Sequence, residues 1–348
     1  MKKTIIMLLL FVLVAQGAVG RRVRSVYGIG FYNLENLFDT CHDEGKNDYD
    51  FLPDGSYQWD SNKYINKLRN MAQAIADMGT DELPGVGCAV VGCAEVENSR
   101  VLDDLVSEPQ LAARGYKYIH VEGPDRRGID CALLYNPQLF AVRNVKLVPY
   151  RYERESDKNH PTRGYLTVSG TLGDEHVTVV VCHWPSRGAD SFAREAAGRQ
   201  VKALKDSLLR DDRKCKVIVM GDMNDDPSNR SMLECLMAKP EKNEVRKGEM
   251  YNPWYNILVK EGRGTLSYRG AWNLFDQIVI TPNLIDYKGK AKLKRLKYIK
   301  SDIFSRPYLL NAEGKYRGTP KRTTARKVWL NGYSDHLPVV LYLAKDTK

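Results

Sequence analysis

The sequence predicts two β-sheets packed face to face with helices on the outside, and three observations lead there. About ten short runs of apolar or alternating residues recur along the chain, and only two longer stretches carry a helical stripe. Many gaps between the runs are too short for a helix, such as the three residues between Leu172 and His176. A succession of βαβ units would need a helix after nearly every strand.

In chain order, strands are expected at 24–33, 87–95, 116–121, 129–136, 140–150, 164–172, 176–184, 215–222, 275–281 and 337–344. Several alternate, as half-buried antiparallel strands do. "TVVVC" and "VIVM" are continuously apolar, as strands covered on both faces are. Over 61–78, Tyr64, Ile65, Leu68, Met71, Ala72, Ile75 and Met78 recur at three–four spacing and predict an amphipathic helix. A second helix is expected over 189–209, with Ala193, Ala197, Val201, Leu204 and Leu208 on its apolar face.

The first twenty residues read differently. Lys2 and Lys3 precede the 12-residue apolar stretch "TIIMLLLFVLVA", and the small residues of "QGAVG" follow. This is the pattern of a secretory signal peptide over 1–20. The stretch is short of the roughly 20 residues a membrane span needs. One domain is then expected over 24–345, exported to the periplasm or beyond, monomeric and with no stable protein partner. Removing residues 1–20 lowers the net charge from +10 to +8, which favours an anionic partner such as nucleic acid, lipid headgroups or phosphorylated sugars. The seven cysteines show no CxxC and no regular framework. Cys88, Cys131, Cys182 and Cys215 lie in strand-like sequence and are expected to be small buried apolar residues.

The strand ends carry the chemistry. "VIVMGDMNDDPSN" (217–229) passes from an apolar run into Asp222, Asn224, Asp225 and Asp226. Such a stretch is by itself a turn signal. Other strands finish alike: "GIGFYNLENLFD" with Asn33 and Glu35, "VVGCAEVEN" with Glu95 and Glu97, and "VVVCHWPSR" with His183. "FDQIVIT" opens a strand with Asp276, and "SDHLPVVLYL" sets Asp335 and His336 before the last one. All are hard oxygen ligands or imidazoles. No Cys/His cluster has the tight spacing of a zinc site.

The set "NLENLF", "AEVEN", "CHWPSR", "GDMNDDP", "FDQIVIT" and "SDHLPV" resembles the endonuclease/exonuclease/phosphatase (DNase I-like) superfamily, in the family's order and over nearly the whole mature chain. The resemblance implies a four-layer α/β sandwich with the site at one edge of the packed sheets. It implies a Mg²⁺-dependent phosphodiester hydrolase, with Mn²⁺ a possible substitute. Glu95 would be the main metal ligand, helped by Asn33 and Glu35, and Asp335 would bind or orient the metal. Where many relatives carry Asp, this chain has the longer Glu35. His336, its tautomer held by Asp276, would activate water or stabilise the phosphorane. Asp222 and Asn224 would position the nucleophile, and His183 would contact a phosphate oxygen near the leaving group.

Other residues bear on substrate. Arg163 and Arg187 are candidate phosphate clamps, since Arg forks match phosphate oxygens. Asp130 resembles a polar position beside the family's site, with a structural role an equal alternative. Two basic stretches, 288–300 and 315–327, have tyrosines in or between them and suit a nucleic-acid surface. The expected activity is hydrolysis of DNA or RNA. The alternative is a phosphatase or lipid phosphodiesterase acting on inositol-phosphate or sphingomyelin-type substrates.

Overall fold

Two mixed sheets form the body of the chain. The computed structural model describes residues 23–155, 158, 161–289 and 292–347. The signal segment read at 1–20 lies outside them, as does His160. The strands are β1 (Val23–Leu37), β2 (Cys88–Val96), β3 (Lys117–His120), β4 (Asp130–Tyr135), β5 (Phe140–Val148), β6 (Tyr165–Leu172), β7 (Glu175–His183) and β8 (Lys216–Asp222). They continue with β9 (Ala238–Lys239), β10 (Met250–Tyr251), β11 (Leu266–Tyr268), β12 (Ala271–Asn273), β13 (Asp276–Ile280), β14 (Lys297–Ile303), β15 (Thr324–Ala325), β16 (Val328–Trp329) and β17 (Val339–Thr347). The helices are α1 (Ser61–Asp77), α2 (Ser99–Ser107), α3 (Pro109–Ala112), α4 (Ser191–Asp211) and α5 (Trp254–Val259).

One sheet has the order β14-β17-β1-β2-β4-β3 and the other β5-β6-β7-β8-β13-β10-β9. Most neighbours are antiparallel, but each sheet has a parallel pair at its centre, β1/β2 and β7/β8. A parallel pair needs a crossover connection. α1 lies in the first crossover and α4 in the second. The two long amphipathic stripes are therefore the coverings of those crossovers. Asp60 caps α1 by accepting from the Lys63 N–H, and Asp190 caps α4 by accepting from Phe192.

The sheets meet through Ile29, Phe31, Val181 and Met220, all buried. Gly92 lets them approach closely: a Cβ there would lie 2.5 Å from Met220 Sδ and 3.1 Å from both Phe31 and Val181. All seven cysteines are free, six of them buried, as expected for small apolar residues.

The predicted strands and both helices are present within a few residues. Strand β14 was not expected. It takes up residues from the basic stretch 288–300, and it forms an outer edge of its sheet. Lysines on an edge strand discourage pairing with other chains, and Lys297 and Lys300 stand there.

Candidate active site

The two central parallel pairs end at one edge of the molecule. β1 and β2 carry Asn33 and Glu95 there, with Asn33 in register with Ala94. β7 and β8 carry His183 and Asp222, directly paired. β13 starts at the same edge, so Asp276 is in register with Asp222. His336 precedes β17 and bridges to Leu266. Strand register and the bridge at His336 thus gather six of the residues read from the sequence, separated by up to 303 positions, into one cluster.

The contacts are specific. The Asn33 amide nitrogen donates to Asp222 Oδ2 at 3.0 Å and to Glu95 Oε1 at 3.3 Å. Its Oδ1 accepts from the Glu35 N–H, which fixes the amide with its nitrogen toward the acids. His183 Nε2 lies 3.8 Å from Glu95 Oε1 and 3.7 Å from Asp222 Oδ2. His336 Nδ1 is 2.7 Å from Asp276 Oδ2, and its Nε2 is 3.9 Å from Asp222 Oδ2. The Ser334 hydroxyl donates to the Asn33 carbonyl and accepts from the His336 N–H, tying the last loop to β1. Glu35, Asn36, Glu95 and Asn224 all have positive φ, between 49° and 62°. Left-handed backbone at non-glycine residues costs about 1–3 kcal/mol each and concentrates at functional sites.

Electrostatics separates the two histidines. Burial pushes the His183 imidazole well below its ordinary value, and Arg163, Arg127 and His336 act in the same direction. Burial also opposes charge on His336, but Asp276, Asp222 and Asp335 outweigh it and raise that imidazole well above its ordinary value. His336 is the cationic member and His183 the neutral one. The Asp222 carboxyl is pushed up to about 6, by burial first, with Asp276 and Glu95 adding to it and His336 opposing.

A divalent cation fits this cluster. Glu95 accepts the Asn36 N–H at 2.9 Å but, among the described residues, has no Lys or Arg partner. Glu95 and Asp222 therefore share a neutral amide and a neutral imidazole, with their negative charge only partly offset by His336. Mg²⁺ binds through one or two carboxylates and keeps several waters. Asp222, Asp276 and His336 also place one ligand atom each within 4.8 Å of one another. There Asp276 Oδ2 is engaged by His336 Nδ1, while its Oδ1 is buried with no hydrogen-bond partner among the described residues.

Several predicted residues take other positions. The Glu35 carboxylate turns away from Glu95 and accepts from the Thr323 N–H at 2.5 Å and from Arg322 Nε at 3.4 Å. Burial pushes it up to about 7, with Asp335 adding to the rise. Arg322 also donates to Asp335 at 2.6 Å, so it holds the two acids together. Asn224 donates its amide to the Trp184 carbonyl, and its N–H goes to Asp222 Oδ1. Arg187 is a brace: it donates to the Asn224 carbonyl, Asn273 Oδ1 and Asp226 Oδ2. Arg163 is buried, paired with Asp125 at 2.9 Å and bonded to the Trp184 carbonyl. Asp130 is buried beside His120 at 3.2 Å.

Lys67, Arg322 and Ser334 were not singled out in the sequence. Lys67 is wholly buried on α1, where its ammonium donates to Thr323 Oγ1 and the Tyr333 carbonyl at 2.5 and 2.6 Å. A lysine bordering an apolar helical stripe was the only signal available. The basic stretch 288–300 is far from this edge: Leu293 N–H and Leu296 N–H bond Asp346 and Glu175, at the opposite ends of β17 and β7. The stretch 315–327 does reach the site, through Arg322 and Thr323.

Residues 28–345 match the sequence profile of the Endonuclease/Exonuclease/phosphatase family. The chain belongs to that family. Among solved structures it is similar to an endonuclease/exonuclease/phosphatase family protein from Bacteroides thetaiotaomicron (16% identity, 94% of this chain and 97% of that one, TM-score 0.55). A mannosyl-6-phosphatase of the same organism is similar at 16% identity (91% and 99% covered, TM-score 0.55). So is D. rerio TDP2 complexed with a single-strand DNA product, at 12% identity (92% and 99% covered, TM-score 0.53). No curated protein is significantly similar in sequence. The two large mixed sheets are the family's α/β sandwich.

Proposed function

We propose that this family member is a metal-dependent phosphodiester hydrolase that cuts nucleic acid, and that residues 1–20 direct its export. The observation that carries the activity is the His336–Asp276 pair facing Asp222, with Glu95 across the same edge. Glu95, aided by Asn33 through its hydrogen bond, would hold the cation, which supplies charge neutralisation at the phosphate when bound. Asp222, with its raised carboxyl and Asn224 beside it, takes a proton from water. The His336 imidazolium offers its Nε2–H to the charge developing on the non-bridging oxygens, and as the bond from phosphorus to the leaving oxygen breaks, that oxygen takes its proton from solvent. Neutral His183 donates to a phosphate oxygen from Nε2, the nitrogen that faces two carboxylates. Its lowered basicity suits that donor better than a general acid.

The surroundings favour a chain-like substrate. The hairpin β11–β12 adjoins His336 and exposes Tyr268 and Arg269 at its tip. The hairpin β15–β16 follows Thr323, which bonds Glu35, and exposes Arg326 and Lys327. One aromatic and cationic tip and one cationic tip beside the reacting groups suit a polynucleotide. The test is a substrate panel in Mg²⁺ or chelator: plasmid, single-stranded DNA, RNA, sugar phosphates, inositol phosphates and sphingomyelin. Turnover of DNA or RNA, lost in chelator, is expected. Turnover of only the small phosphoesters or the lipid replaces the nuclease reading with the phosphatase or lipid reading.

A further inference from the structure

We propose a second, non-catalytic binding site for single-stranded nucleic acid at the end of the sandwich opposite the active site. A cavity of about 1050 Å³ opens there, between the C-terminal end of α4, the 245–248 loop and the segment after β13. Asp276 marks the catalytic end of β13, whereas Thr281 lines this cavity, about 17 Å further along at roughly 3.4 Å per residue.

Charge is the first observation. Arg210, Arg213, Arg246 and Lys247 line the cavity, all exposed. Among the described residues, none of these four side chains has an ion-pair or hydrogen-bond partner. Other cations are matched, such as Arg100 with Asp39 and Asp43, Arg199 with Glu153, and Arg230 with Glu195 and Glu234, whereas these four stand together around one concavity. The one acid in the lining, Asp206, is already paired with Lys202 and Lys205. Four uncompensated cations around one concavity repel one another, and an anionic ligand relieves that repulsion.

Shape and floor narrow the ligand class. Leu209, Val245, Pro282 and Tyr287 supply apolar surface between the cationic positions, and Tyr287 is 52% exposed. A simple anion would leave this surface wet. A flat bilayer would meet the rim rather than the concavity. A nucleotide strand has phosphates for the arginines and planar bases for the tyrosine and its apolar neighbours. Leu293 and Leu296 bond Asp346 and Glu175 at this end of the sheets, so Lys292 and Lys294 beside them can extend the cationic track. The site requires nothing of the catalytic centre, and its test is independent of which phosphoester is hydrolysed.

The experiment is fluorescence anisotropy of a labelled oligothymidylate with the full chain carrying Glu95→Gln, in chelator, across a salt series. The triple variant Arg213→Ala, Arg246→Ala, Lys247→Ala in that background should weaken binding at least tenfold at low salt. It should reduce the salt slope by about two, given about 0.7 per phosphate contact for single strands. Tyr287→Ala should weaken binding with the slope unchanged. In the otherwise native chain, neither change should alter hydrolysis of a small phosphodiester. Equal binding curves with and without the triple change would overturn the proposal. So would competition by inorganic phosphate as effective, per phosphate, as by unlabelled oligothymidylate, which would mean a simple anion site. Binding to anionic lipid vesicles but not to oligothymidylate would likewise overturn it in favour of a membrane surface.

Discussion

His336 and His183 share one pocket, and their different surroundings divide the work between them. Asp276 accepts from His336 Nδ1 at 2.7 Å, while His183 Nδ1 is buried without a partner among the described residues. Asp276→Asn should therefore lower kcat by about 10² or more, because the amide neither holds the tautomer nor stabilises the imidazolium. His336→Ala should do at least as much. Steady-state kinetics with circular dichroism to confirm folding checks both, and a folded Asp276→Asn protein with native kcat would remove the pair from the mechanism. Lys67→Met should cost about 1–3 kcal/mol of stability, since it leaves the Tyr333 carbonyl and Thr323 hydroxyl buried with a lost donor. Urea unfolding measures it. The site residues that could be read from the sequence are those at strand ends, where an acid or histidine interrupts an apolar run. Lys67 and Arg322 could not be read that way. Their partners lie 256 and 287 positions away along the chain, and nothing local marks them.

Elements deliver these residues by register, so changes to the central strands should reach the chemistry. Gly221 immediately precedes Asp222 on β8, and a Cβ there would lie 2.2 Å from the Cys182 carbonyl on β7. Backbone cannot give way as a flexible side chain can. Gly221→Ala should cost about 1–3 kcal/mol as overpacking and lower kcat as well, because Asp222 moves with the strand. A loss of stability with native kcat would show that Asp222 tolerates the shift. The hairpins should behave in the opposite way. Tyr268→Ser with Arg269→Ser, or Arg326→Ser with Lys327→Ser, should raise KM for an oligonucleotide several-fold and leave a small phosphodiester unaffected. Long, strongly patterned elements such as β7, β8, α1 and α4 were legible because burial on one or both faces dictates their residues. The hairpins β11–β12 and β15–β16 were not: their strands have two or three residues each and are half exposed, so little burial constrains them. β14 was masked by its lysines, which read as a surface charge run rather than as an edge strand.

At the scale of the whole molecule, the catalytic edge is a seam between two sheets that are otherwise joined by apolar packing. Asn33 and Glu95 come from one sheet and His183, Asp222 and Asp276 from the other. Negative charge gathers at this edge while four unpaired cations gather at the opposite end, so the net positive charge says little about the active site itself. A cation held by Glu95 beside Asp222 acts across that seam and relieves repulsion that folding otherwise has to overcome. Because it binds only the folded chain, Mg²⁺ at one hundred times its Kd should stabilise the protein by about 2.7 kcal/mol, read as a rise of a few degrees in Tm. Glu95→Gln should abolish most of that rise while slightly raising Tm in chelator, since one of two neighbouring negative charges is gone. Asp39→Asn, at a separate acidic cluster that Arg100 already neutralises, should leave the Mg²⁺-dependent rise intact. An equal rise in native protein and Glu95→Gln would place the cation elsewhere and sink the assignment of Glu95 as its main ligand.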